Sequence, residues 1–189
     1  MDNPEKAMKM ISAPVVLVLA LVIFLILLCC NSSSGDYSIM VANYLYFPLE
    51  SSASYTISSE FGTRLDPLGS GEEKFHTGID LATAEGTNVI ASGDGYVVGT
   101  GFEENGLGNY VYIEHNFSGL IFYTVYGHMQ DNSIVVTEGQ SVKKGDKIGC
   151  VASTGASTGN HLHFTITAPK LSFKKEYLID PTYVINGLD

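Results

Sequence analysis

Hydrophobic positions follow two different rules along this chain. Between Ala13 and Cys30 they run unbroken as APVVLVLALVIFLILLCC, without a charge or a strong hydrogen-bonding side chain. As a helix rising ~1.5 Å per residue, such a run matches the ~30 Å hydrocarbon core of a bilayer. A cleaved secretory signal has a shorter apolar stretch and ends in small residues. Leu28-Cys29-Cys30-Asn31 offers no such site, so the segment is predicted to be an uncleaved signal anchor. Lys6 and Lys9 precede it and no basic residue follows until Arg64, which places the N-terminus in the cytoplasm and the remainder outside.

Beyond the anchor the pattern changes to the period of strands. Asn109–Glu114, Leu120–Tyr126, Ser133–Val136 and His161–Thr167 are short, alternating, and rich in β-branched and aromatic residues. Turn signals separate them, among them Asp94-Gly95, Glu138-Gly139, Lys144-Gly145-Asp146 and Ser157-Thr158-Gly159-Asn160. No amphipathic helix of three turns is visible, although Pro181-Thr182-Tyr183 can open one short turn. The predicted organisation is a cytoplasmic tail over 1–12, a transmembrane anchor over 13–30, a Ser/Gly juxtamembrane linker over 31–44, and one all-β domain of antiparallel strands over 45–189.

Composition narrows the function. Twenty glycines and eleven tyrosines without a tryptophan suit strands joined by tight turns. A formal net charge of −10 with ten basic residues argues against nucleic acid as a partner, because phosphate binding needs clustered Lys and Arg. Cys29 and Cys30 close the apolar run and Cys150 stands by itself in the domain, so neither a disulfide framework nor a thiolate zinc site is indicated.

Four of the five histidines make chemical sense together. His161 and His163 alternate on one strand, so both imidazoles leave one face while Leu162 and Phe164 enter the core. One can bind a metal while the other works on an adjacent atom. His76 and Asp80 stand four residues apart in FHTGIDLA, where Gly78 can supply a bend that turns both side chains toward one ion. Imidazole nitrogen and carboxylate oxygen are zinc ligands, and a site with three of them leaves a fourth position for water or substrate. His128 stands in VYGHM.

The ordered phrases FPL, ISSEFGTRLDP, FHTGIDLATAEGT, VIASGDGYVVGTG, GNYVYIEHNFSG, YTVYGHM, EGQSVKKGDKIGCVASTGASTGNHLHF and IDPTYVI resemble the LytM domain of the lysostaphin-type zinc endopeptidases. The resemblance covers essentially everything after Leu45. It implies antiparallel sheets with a duplicated, barrel-sandwich strand motif and a groove across one face. It also implies one Zn2+ bound by His76, Asp80 and His163, with His128 and His161 as the two catalytic histidines. Either of these takes the proton of the attacking water while the other stabilises the oxyanion or helps protonate the leaving amine. Asn160, Thr165 and Ala152 depart from the common family wording, at positions expected to shape the groove rim without touching a ligand. Tyr126, two residues before His128, is a candidate substrate contact as well as a packing residue, and His115 is either structural or groove-lining.

The implied substrate is bacterial peptidoglycan, cut in its stem peptides or cross-bridges by a domain on the wall side of the membrane. Non-catalytic regulators of this type lack some of the zinc ligands, whereas all five key residues are present here. A local wall-opening role beside a secretion or conjugation machine is a further reading, suited by the short linker.

Overall fold

The computed structural model describes Val41, residues 43–66, Gly69 and residues 71–185. The predicted anchor over 13–30 and its cytoplasmic tail lie outside these residues. Among the described residues, no helix is long and apolar enough to cross a membrane.

Twelve strands dominate the described chain: β1 (Tyr55–Ser59), β2 (Gly62–Leu65), β3 (Glu73–His76), β4 (Ile79–Thr83), β5 (Asn88–Ile90), β6 (Gly95–Glu103), β7 (Gly108–Phe117), β8 (Leu120–Met129), β9 (Ser141–Val142), β10 (Lys147–Cys150), β11 (His161–Thr167) and β12 (Leu178–Ile179). Beyond the helical residues Val41, Asn43 and Tyr44, helix among the described residues is a 3-10 turn at Lys175–Tyr177 and the short α1 at Thr182–Ile185, where the Pro181 signal predicts a turn. Every strand pairing among the described residues is antiparallel. The main sheet runs β1-β4-β11-β8-β7-β6-β9, with β12 added to β11, and two ribbons, β2-β3 and β5-β10, stand apart from it.

Period-two patterning accounts for most of this arrangement. Leu162, Phe164 and Ile166 of β11 point into the core beside Ile79 and Leu81 of β4 and are fully buried. Val89 of β5 and Ile148 of β10 close the same core. Val41, Tyr44 and Leu45 already pack against it, ahead of the first strand. The predicted strand at Ser133–Val136 is not one. That segment is irregular, held by the Val135 amide on the Ile148 carbonyl at 3.1 Å, and its apolar content reflects the burial of Val136.

Two interruptions of the regular ladder prepare the site. Between β3 and β4 the chain bends at Gly78, so that His76 belongs to a ribbon and Asp80 to the main sheet. In β8, Tyr126 faces Val111 while Met129 faces Asn109, so one extra residue is accommodated. His128 absorbs it with φ = 58°, a left-handed backbone costing roughly 1–3 kcal/mol that is usual only where the surroundings enforce it.

Phe164 stacks obliquely on Tyr126, with ring centroids 5.4 Å apart. Phe164→Ala is expected to destabilise the domain by about 3–5 kcal/mol, read as a lower urea midpoint at constant slope.

Candidate metal centre and groove

His163 occupies the middle of β11, opposite Asp80 of β4 on one side and Gly127 of β8 on the other. The strand register therefore sets the two side chains next to each other. His163 Nδ1 lies 2.9 Å from Asp80 Oδ1. The β3 ribbon lowers His76 onto the pair, with Nε2 at 3.1 Å from both His163 Nδ1 and Asp80 Oδ1. All three residues are buried.

Their outer hydrogen bonds decide which nitrogen carries a proton. His76 Nδ1 faces the Glu60 carbonyl at 2.8 Å, an acceptor only, so this nitrogen donates and Nε2 keeps its lone pair. His163 Nε2 lies 2.9 Å from Thr165 Oγ1, a hydroxyl able to accept its N–H, with Nδ1 turned inward. Two imidazole lone pairs and a carboxylate oxygen thus converge. Burial by itself would raise the Asp80 carboxyl, but the adjoining His163 and His76 imidazoles hold it well below the usual carboxylate range. Burial pushes the His163 imidazole down, against the opposing pull of Asp80.

Three acceptors at such distances repel unless a proton or a cation stands among them. Zinc fits the donor set: bonds of ~2.0–2.1 Å in tetrahedral geometry place ligand atoms about 3.3 Å apart. The observed triangle of 2.9 and 3.1 Å edges is close to that size.

The two remaining histidines border the same point. His128 Nδ1 donates to the Thr154 carbonyl at 2.7 Å, and His161 Nδ1 to the Gly159 carbonyl at 2.8 Å. Each ring therefore keeps its Nε2 as an acceptor. Their centroids are 4.6 Å apart, and His161 Nε2 stands 3.6 Å from Asp80 Oδ1. Burial, reinforced by repulsion from His161 and His163, lowers the His128 imidazole to about 4, so it is neutral at pH 7. All five residues line an open groove of about 710 Å³. Its walls come from β1 and β2, the β6–β7 loop, the β10–β11 loop and Phe173.

Two expectations are corrected, at Tyr126 and Thr165, and one alternative, at His115, is decided. Tyr126 is fully buried and does not line the groove; its hydroxyl receives hydrogen bonds from the Ser92 amide at 2.9 Å and from Thr124 Oγ1 at 3.0 Å. The bulge at His128 breaks the alternation, so residues two apart no longer share a face. His115 is likewise buried, bonded to Thr124 Oγ1 and the Asp94 carbonyl at 2.8 Å each, and burial lowers its imidazole to about 4. It is structural. Thr165 is not a rim residue, because it holds the outer nitrogen of His163.

Sequence reasoning also missed Arg64 and the carbonyl anchors of Glu60, Thr154 and Gly159. Thr165 was within reach, since two residues after His163 on one strand is the same face. Gly78 does more than bend. A β-carbon there would collide with the Phe164 carbonyl and Thr165 Oγ1, and would stand 2.9 Å from His163 Nε2. Thr165→Val preserves shape and removes the acceptor. It is expected to weaken zinc binding by ~10–100-fold in a chelator competition, whereas Thr165→Ser stays near wild type.

Comparison with known proteins agrees with this geometry. The profile of peptidase family M23 matches residues 74–180. The peptidoglycan DD-endopeptidase ShyC of Vibrio cholerae is 39% identical over 109 residues, which is 57% of this chain and 24% of that protein. The chain spans about a quarter of the length of the curated relatives it matches. Among solved structures, a zinc-containing peptidase from Vibrio cholerae aligns with a TM-score of 0.57 at 36% identity, covering 65% of this chain and 36% of the other. The catalytic domain of lysostaphin from Staphylococcus simulans aligns with a TM-score of 0.60 at 29% identity, covering 70% of this chain and 93% of the other. With the family profile extending over more than half of its length and the ligand set assembled, this chain belongs to peptidase family M23.

Proposed function

We propose that this protein is a zinc-dependent endopeptidase that cuts peptide bonds in bacterial peptidoglycan. The observation that carries the proposal is the position of two anchored, non-ligating imidazoles beside a three-donor metal site on the floor of one open groove. An isolated metal site needs no such pair. The named activity of the Vibrio cholerae relative on peptidoglycan supports the substrate class.

Bound by His76, Asp80 and His163, Zn2+ supplies Lewis acidity toward a peptide carbonyl and a water molecule. The chain's own groups manage the protons. Hydrolysis must take a proton from water and deliver one to the departing amine. His128 and His161 each turn an Nε2 toward the centre that can accept the first. The imidazolium so formed then has a proton to give to the leaving nitrogen. The Thr154 and Gly159 carbonyls hold the two rings through their Nδ1–H groups, so the acceptors are set before substrate arrives. Asp80, kept ionised, favours positive charge at the centre and on the adjacent imidazoles.

The apolar run from Ala13 to Cys30 anchors this domain in the membrane, with the groove on the wall side. Such tethering would confine activity to wall near the cell surface.

Digestion of purified peptidoglycan by the zinc-loaded full chain, followed by mass spectrometry of the fragments, tests the proposal. New peptide termini are expected, suppressed by a chelator and reduced by roughly 10²–10⁴-fold in His161→Ala. Intact wall material across several peptidoglycan chemistries, with zinc confirmed in the protein, would overturn it.

A further inference from the structure

Arg64 has no part in the chemistry above, yet it borders the same groove. It lies on β2 opposite Lys74 of β3, two residues before His76 on that strand, so ribbon alternation puts Arg64 and His76 on one face. Its side chain is 26% exposed, and its Nη2 stands 3.7 Å from Asp80 Oδ2, too far for a hydrogen bond. Its Nε is buried without a hydrogen-bond partner. A buried guanidinium donor left in this way is costly unless something else supplies the acceptor.

The protein's own carboxylates do not. Of those that line the groove, Asp80 is in contact with His76 and His163 and stands 3.7 Å from Arg64, and Glu103 lies by the Tyr112 hydroxyl. The neighbouring cation Lys74 is neutralised by Asp66 at 2.7 Å. Arg64 is the one lysine or arginine among the described groove-lining residues. In a chain of net charge −10, Arg64 is the protein's own point of attraction for an anionic group entering the groove, apart from the metal centre.

We propose that Arg64 is a specificity residue, a fork that receives a free carboxylate of the peptide substrate close to the scissile bond. The planar guanidinium matches a carboxylate bidentately, which a lysine ammonium does not. Substrate binding at the exposed Nη end of the guanidinium then fixes the peptide's register across the metal centre. This inference rests on the peptidase reading and adds the class of peptide that the groove prefers: one carrying a carboxylate there, rather than its amide.

The test uses a matched pair of synthetic stem peptides, identical except that one carboxylate is amidated in the second. Their kcat/KM values and, separately, their dissociation constants are measured on the zinc-loaded full chain. Wild type is expected to favour the carboxylate peptide by about 10–100-fold, the range for a charge-assisted hydrogen-bond pair, mostly through KM. Arg64→Met should bring the ratio near one, and Arg64→Lys should retain only part of it. Binding discrimination that disappears in Arg64→Met supports the assignment even where neither peptide is cut, a result that would count only against the peptidase reading. A wild-type ratio near one in both measurements overturns the proposal. So does a ratio that survives in Arg64→Met while both peptides slow together, because Arg64 would then act through Asp80 and the metal.

Discussion

Two imidazole lone pairs and a carboxylate oxygen, each within 3.1 Å of the others and buried, form the constraint on which this structure turns. Acceptors packed so closely repel. A cation removes the conflict and converts it into binding energy. The surrounding hydrogen bonds point the same way. Glu60 and Thr165 take the outer N–H groups of His76 and His163, leaving the inner nitrogens free for a metal. The outer partners thus fix the tautomers that metal binding requires.

The fold meets this constraint by drawing the ligands from elements held independently. Asp80 and His163 face each other across the β4–β11 pairing, whereas His76 arrives on the β2–β3 ribbon. The two bordering histidines, His128 and His161, come from two further features, the bulge in β8 and the start of β11. Leu162 and Phe164 lock β11 from beneath while His161 and His163 emerge above. Packing on one face of a single strand therefore sets the chemistry on the other. The left-handed backbone at His128 is local strain that a regular ladder would not contain, and it directs this imidazole to the groove.

Much of this was legible in the sequence because it depends on period two. β11 coincides with the predicted His161–Thr167, and the β7 and β8 segments contain their predicted cores. The convergence of His76 and Asp80 followed from Gly78 and the donor types, and the ligand set from the resemblance. What failed did so where alternation is interrupted or where backbone atoms act. Tyr126 was placed with His128 on one face, and an extra residue in β8 separated them. His115 sits on the buried face of β7 with Val111 and Ile113, where a histidine can be satisfied by Thr124 and a carbonyl. The anchoring carbonyls carry no side-chain signature at all. Ser133–Val136 has a strand's composition because Val136 is buried, not because it pairs.

The most direct test of the central claim is X-ray absorption at the zinc edge of the purified full chain, with metal content measured on the same sample. The account predicts one zinc per chain, coordinated only by nitrogen and oxygen, with the scattering signature of two imidazoles. One of these should disappear in His163→Ala together with most of the bound metal. A sulfur shell, which would implicate a cysteine such as Cys150, or a full complement of zinc in His163→Ala would contradict it.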